Sequence, residues 1–165
     1  MQVDVVYEER YWYPDDGSIV WLGGYGLVGE DGRYLARDAP ELAARGLRVS
    51  AVAGAARHHP GALSSDAVAP GCSLELRRDP RNVHDRHAVA VLASDGEPVG
   101  WVPREIASEL AGELDAGGTW SALSLRETRA SPRDPRTGLT MLLARAPAIE
   151  LRVRSGRGGR ASGAG

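Results

Sequence analysis

Ten residues of this chain could together hold an anion and a flat ring. They fall in two short segments: Arg57, His58 and His59, then Arg77, Arg78, Arg81, Asn82, His84, Asp85 and Arg86. A guanidinium grips phosphate through paired N–H donors. Flat side chains stack on bases, and such stacking is worth roughly 1–3 kcal/mol per base in other proteins. Asp85 is the odd member, because a carboxylate repels phosphate. It fits a free hydroxyl, from which it can accept a hydrogen bond, and it would reject the same position carrying phosphate. The set suits the free end of a single polynucleotide strand.

The same residues admit a structural reading. Asn82 and Asp85 could cap turns of their own loop, and the arginines could form a solvated face. Metal binding is a third reading, with His84, His87 and His58 as candidate ligands and His59 and Asp85 near them in sequence. Their spacing gives no firm ligand geometry and there is no His-Glu-x-x-His pattern. No cofactor is expected. Catalysis is not expected either. Ser64 and Ser65 lack a nucleophile-elbow pattern, and no group of residues supplies nucleophile, base and orienting partner together.

The elements that must position these residues read as strands. Leu74-Glu75-Leu76 alternates as a half-buried strand does, and Ala88 to Leu92 is a short apolar run. Ser94-Asp95-Gly96-Glu97 is a turn, Val99 to Val102 resumes the sheet, and Pro103 opens a helix. The arginine-rich loop lies between the first two of these strands. Leu47 to Ala56 reads as a strand, Arg57 to Gly61 as a polar turn, and Ala62 to Pro70 as a mobile loop. Ile106, Ala107, Leu110, Ala111 and Leu114 place one apolar stripe on the helix, with Glu105, Glu109 and Glu113 on its wet side and Gly117-Gly118 at its end. Trp120 to Leu123, Leu139 to Ala144 and Ile149 to Val153 complete the strands. Thr128 to Gly138 is expected to be an exposed hairpin loop.

The loop Arg78-Asp79-Pro80-Arg81-Asn82-Val83-His84-Asp85, the Ala-Val run after it, and Val99-Gly100-Trp101-Val102-Pro103-Arg104-Glu105-Ile106-Ala107 resemble the HIRAN domain family. Members occur at the N-termini of some DNA-repair helicases and as free-standing bacterial proteins. The resemblance covers about Val49 to Val153. It implies a binding module for single-stranded DNA 3′ ends, acting in DNA repair or at replication forks, beside a protein partner such as a helicase or nuclease. It also implies that Arg57 holds the strand, that Asp85 meets the 3′-hydroxyl, and that His84, His58 and His59 stand where the family carries aromatic residues. Histidine offers less stacking area and adds charge when protonated, so weaker binding that tightens below neutral pH is expected.

The fold expected is mainly β with minor α: a small OB-like or SH3-like barrel of about six strands with one or two helices. Three regions are expected. Residues 1–48 form an N-terminal β-hairpin appendage and a short helix with Asp38 as N-cap. Residues 49–153 form the barrel, and 154–165 a disordered Gly/Arg-rich tail. The first region holds all five tyrosines and two of the four tryptophans, with five arginines against nine acids. Docking on another protein through this acidic aromatic region, with no nucleic-acid ligand, is the alternative function.

Composition narrows the classes further. The net charge is −2 over 165 residues, so a duplex-coating protein is not expected. All 20 basic residues are arginine. Without lysine there is no phosphate-binding loop of the motor ATPases, no Schiff base and no Ser–Lys dyad, and Gly23-Gly24-Tyr25-Gly26 reads as a strand end. A single cysteine, Cys72, makes no internal disulfide. No apolar run reaches membrane-spanning length and the first residues lack a secretory pattern, so a cytoplasmic location without membrane contact is expected.

Overall fold

The computed structural model describes residues 1–155, and its architecture is mainly β. Nine strands are present among the described residues: β1 Gln2–Trp12, β2 Val20–Leu27, β3 Leu47–Ala51, β4 Ser73–Arg78, β5 Val89–Ala93, β6 Pro98–Trp101, β7 Ser121–Arg129, β8 Gly138–Ala144 and β9 Glu150–Val153. The helices are α1 Pro40–Ala44, α2 Ala55–His58, α3 Pro60–Leu63 and α4 Arg104–Asp115, with a 3-10 turn at Asp66–Val68. Strand neighbours run β6-β5-β4-β7-β2-β1-β9, and β8 joins β7 to β3. Seven strands follow residue 46, where about six were expected.

Strand β7 organises the sheet. One edge pairs with β8 along most of its length. The other edge is shared: Ala122 and Leu123 pair with β4, and Arg126 to Arg129 pair with β2. Beyond β3, Ala53 bridges to Trp101 of β6 through two hydrogen bonds, Ala53 N–H to Trp101 O at 2.8 Å and Trp101 N–H to Ala53 O at 2.9 Å. The path β3-β8-β7-β4-β5-β6 thereby returns to its start. Gly100 permits that return. A Cβ there would lie 2.4 Å from Ala53 O and 2.8 Å from Val52 Cγ1, closer than side chains approach.

Two apolar cores lie on opposite faces of β7 and β8. Met141, Leu143 and Ala122 enter one core with Val89, Val91, Val99, Leu110 and Val68. Leu142, Ala144, Leu123 and Leu125 enter the other with Val3, Val5, Leu27, Leu42 and Leu47. Alternate residues point to opposite faces, so a strand covered on both sides reads as the unbroken apolar run Met141–Ala144. Residues 1–48 do hold a hairpin and a short helix. They are not an appendage in packing, because they supply half of the second core and pair directly with β7.

Other expectations are corrected. Ala39, not Asp38, caps α1, and no side chain donates or accepts there. The supposed turn at Arg57–Gly61 is α2 and the start of α3. The supposed mobile loop at Ala62–Pro70 is anchored by Leu63 and Val68, both fully buried. Glu109 and Glu113 are not idle on the wet side of α4. Glu109 pairs with Arg48 and Arg145, and Glu113 pairs with Arg145 at 2.9 Å and accepts from Trp120 Nε1. The helix ends as expected, with Gly118 N–H on Glu113 O at 2.8 Å and Gly117 N–H on Leu114 O at 3.1 Å. The tail from residue 156 onward lies outside the described residues. Arg154, expected within that tail, is described, and its guanidinium bonds Asp4.

Candidate nucleic-acid interface

The loop between β4 and β5 is folded by its own polar side chains. Asn82 Oδ1 accepts from His84 N–H at 2.9 Å and Asp85 N–H at 3.2 Å, and its Nδ2 donates to Asp79 Oδ2 at 3.1 Å. Asp85 Oδ1 accepts from His87 N–H at 2.9 Å. These are the local side-chain bonds expected of Asn and Asp in turns. Both functions of the Asn82 amide are thus spent inside the loop. Asp85 keeps its second oxygen, which lies 3.8 Å from Arg104 Nε.

The arginines divide sharply. Arg78 is a structural fastener. Its guanidinium donates to Asp115 Oδ1 (2.9 Å) and Oδ2 (3.2 Å), to Ala88 O (2.7 Å) and to Arg86 O (3.0 Å). Only 17% of its side chain is exposed. The hydrogen bond from Arg78 holds the Asp115 carboxyl below the usual carboxylate range. Arg78 therefore pins the base of the loop to the end of α4 and has no free donor face for a ligand. Arg77 pairs with Glu75 on the same exposed strand face at 3.0 Å, so a ligand would compete with that carboxylate. Arg57, Arg81 and Arg86 are exposed, and their guanidinium groups have no partner among the described residues.

Two elements carry the other half of the set. Gly54, at φ +73°, turns the chain from β3 into α2, and a Cβ there would lie 3.2 Å from both His58 and Trp101. That close approach sets both histidines against the indole. His58 meets Trp101 edge-on at 5.5 Å between centroids, and His59 lies tilted at 5.7 Å. Trp101 Nε1 is buried and finds no acceptor among the described residues. Three residues further on, Arg104 Nη2 donates to His84 O at 3.2 Å and its Nε faces Asp85. Three extended residues span at most about 10 Å. The stretch Trp101–Arg104 therefore joins the histidines at one end to the Asp85 loop at the other.

The sequence singled out neither Trp101 nor Arg104 as a site residue. Arg104 looks like a first-turn helix residue, and only its bonds to the loop reveal where it reaches. No group of three or more His, Cys, Asp or Glu side chains suited to a metal is found among the described residues. No helix among them is long and apolar enough to cross a membrane.

The HIRAN domain family model matches residues 47–141. Among solved structures, the crystal structure of the HIRAN domain of human HLTF is similar at 22% identity, covering 61% of this chain and 77% of that one, with a TM-score of 0.44. A Lactobacillus plantarum protein is similar at 17% identity, covering 58% of this chain and 91% of that one, with a TM-score of 0.39. No curated protein matches the chain. HIRAN domains are in general DNA-binding modules, binding domains rather than catalysts. With more than half of its length matched, the chain belongs to the HIRAN domain family.

Proposed function

We propose that this chain binds the 3′ end of single-stranded DNA, in the service of repair or fork processing. A helicase or nuclease acting on such ends is the partner class this reading calls for. The observation that carries it is the convergence on Trp101–Arg104 of the histidine pair and the Asp85 loop. The exposed guanidiniums of Arg57, Arg81, Arg86 and Arg104 offer donors for phosphates. The rings of His58, His59 and His84 offer faces for bases, and the free oxygen of Asp85 offers an acceptor for the terminal hydroxyl. Arg78 and Asn82 serve the site by shaping the loop, and Arg77 stands at its margin.

Fluorescence anisotropy with short single strands tests the reading. A 3′-hydroxyl strand should bind more tightly than the same strand ending in 3′-phosphate. Asp85→Asn keeps an acceptor for His87 N–H and removes the charge. It should erase the discrimination, worth about tenfold for one charged hydrogen bond. Equal binding of both ends by the unaltered protein would overturn the role given to Asp85.

Four exposed aromatic side chains favour a second reading, docking on a protein. Tyr7, Tyr11, Trp12 and Tyr13 are 47%, 51%, 55% and 68% exposed. A chain that binds no strand of any ending, yet loses a protein partner when Trp12 and Tyr13 become serine, would decide for docking.

A further inference from the structure

The outer edge of β1 is open beyond Val5, and it lies near the far end of the strand path from Trp101. We propose that this edge pairs with the same edge of a second copy of the chain, making a two-fold dimer through one continuous sheet. The inference stands independently of the end-binding reading. It gives the exposed tyrosines of β1 a partner, a second β1.

Backbone direction is the first argument. Val28 N–H bonds Asp4 O at 3.1 Å, so the even-numbered residues of β1 turn their N–H and C=O groups toward β2. The odd-numbered ones turn the other way. Val5 O accepts from Arg154 N–H at 2.7 Å, and Met1 O, just before the strand, accepts from Glu150 N–H at 2.9 Å. β9 covers β1 only from Gln2 to Val5. Ser155 then turns off the edge, sharing a small cleft with Val28, Glu30, Asp31 and Gly32. The outward groups of Tyr7, Glu9 and Tyr11 therefore have no strand beside them among the described residues. On the inner side, β1 and β2 stay paired in unbroken register to Trp12. An open edge without proline or bulge is a template for another strand.

Self-complementarity is the second argument, and it selects a second copy as the occupant. Antiparallel pairing about a two-fold axis at Glu9 sets Tyr7 opposite Tyr11 of the partner subunit. It sets Glu8 opposite Arg10 of the partner subunit, and the symmetry makes each pair twice. Directly opposed side chains share a face, where aromatic and opposite-charge pairs are favourable. Arg10 is exposed, and its guanidinium has no partner among the described residues. Tyr7 and Tyr11 are each half-exposed.

Charge also fixes the register. The smallest slip that keeps outward groups facing each other is two residues. In one direction it sets Glu8 against its own copy, in the other Arg10 against its own copy, and both lose every Glu–Arg pair. Glu9 opposite itself is the one unfavourable pair in the favoured register. Each Glu9 carboxylate keeps a hydrogen bond from Tyr7 Oη of its own chain at 3.2 Å. The ladder runs only from Tyr7 to Tyr11, because β9 fills the lane beside the start of β1. So short an interface belongs to the weak, reversible class.

Sedimentation equilibrium of the full chain across the micromolar range tests the proposal. The unaltered chain should pass from monomer to dimer. Glu9→Gln removes the like-charge pair and should tighten association about threefold. Arg10→Glu turns both Glu–Arg pairs into Glu–Glu and should weaken it at least about tenfold. Glu8→Arg should weaken it likewise. Mixed in equal amounts, Arg10→Glu and Glu8→Arg should associate with each other, because every opposed pair is then Glu–Arg. Arg10 makes no internal bond, so thermal unfolding of Arg10→Glu should match the parent. Its binding of a 3′-hydroxyl strand should match too, which separates this result from any failure of the end-binding site. Hydrogen exchange gives a second readout. The Tyr7, Glu9 and Tyr11 amides should gain protection as concentration rises, while the Glu8 and Arg10 amides stay protected by β2 throughout. A chain that remains monomeric, or whose Tyr7, Glu9 and Tyr11 amides are equally protected at every concentration, overturns the dimer. Association untouched by Arg10→Glu overturns this edge as its seat.

Discussion

Replacing Glu127 by alanine should unfold this protein more readily than any other single surface-to-core change at the β7–β8 hairpin. The carboxylate is 6% exposed, between Arg136 at 9% and Arg129 at 22%. Arg129 Nε donates at 2.8 Å, and Arg136 Nε donates to the second oxygen. Removing the acid leaves two largely desolvated guanidiniums with carbonyl acceptors but no counter-charge. Stranding the partner of a buried pair costs about 3–5 kcal/mol, and the partial solvation of Arg129 places the expected loss near the lower figure, about 3 kcal/mol. With a urea slope of about 2 kcal/mol per molar, the midpoint should fall by roughly 1.5 M. The thermal midpoint should fall by roughly 6–12 °C. Urea titration followed by tryptophan fluorescence suits the measurement, because Trp21 lies beneath Arg129. Glu127→Ala combined with Arg136→Met should recover part of the loss by removing one stranded charge. A loss under about 1 kcal/mol, the range of solvated ion pairs, would refute the claim that this cluster is desolvated.

Two further outcomes follow from the geometry. Gly100→Ala should cost at least about 2 kcal/mol, since its methyl group would press on Ala53 O and Val52. The Ala53–Trp101 bridge should open with it, seen as faster hydrogen exchange at the Ala53 and Trp101 amides. Asp4 fastens β9 to β1: the hydrogen bond from Arg152, with that from Arg154, holds its carboxyl down to about 2 against the opposing effect of burial. A carboxyl depressed in the folded state stabilises above its ordinary value near ~4 and loses that contribution as pH falls towards 2. The protection of the β9 amides, taken relative to the intrinsic exchange rate at each pH, should therefore fall between pH 5 and pH 2 in the parent and show no such step in Asp4→Asn.

Much of the strand pattern could be read directly from the chain. Alternation in β4, the apolar run of β5, the Asp95-Gly96 turn and the stripe of α4 are set by neighbours within a few residues, which is the range over which propensity and periodicity act. Asn82 and Asp85 belong to the same class. Their turn-capping bonds span two or three residues, and the sequence raised that role beside the ligand role. The mobile loop expected at Ala62–Pro70 failed for a different reason. Leu63 and Val68 are too widely spaced in a polar stretch to signal a buried segment, and only a core waiting beneath them makes one.

The sequence by itself determined the β character, the positions of the two candidate segments, and the exclusion of every chemistry that needs lysine. Tertiary structure alone decided which arginines are free. Arg78 is spent on Asp115, 37 residues away, and Arg136 on carbonyls more than 70 residues away, whereas Arg57, Arg81 and Arg133 have no such partners among the described residues. Tertiary structure likewise made the first 48 residues part of the fold, because the outer face of β7 and β8 is apolar and needs cover. The physical reason is the same in both cases. A side chain's type and local spacing are written in the chain, but desolvation and charge pairing depend on what the fold carries to within a few ångströms.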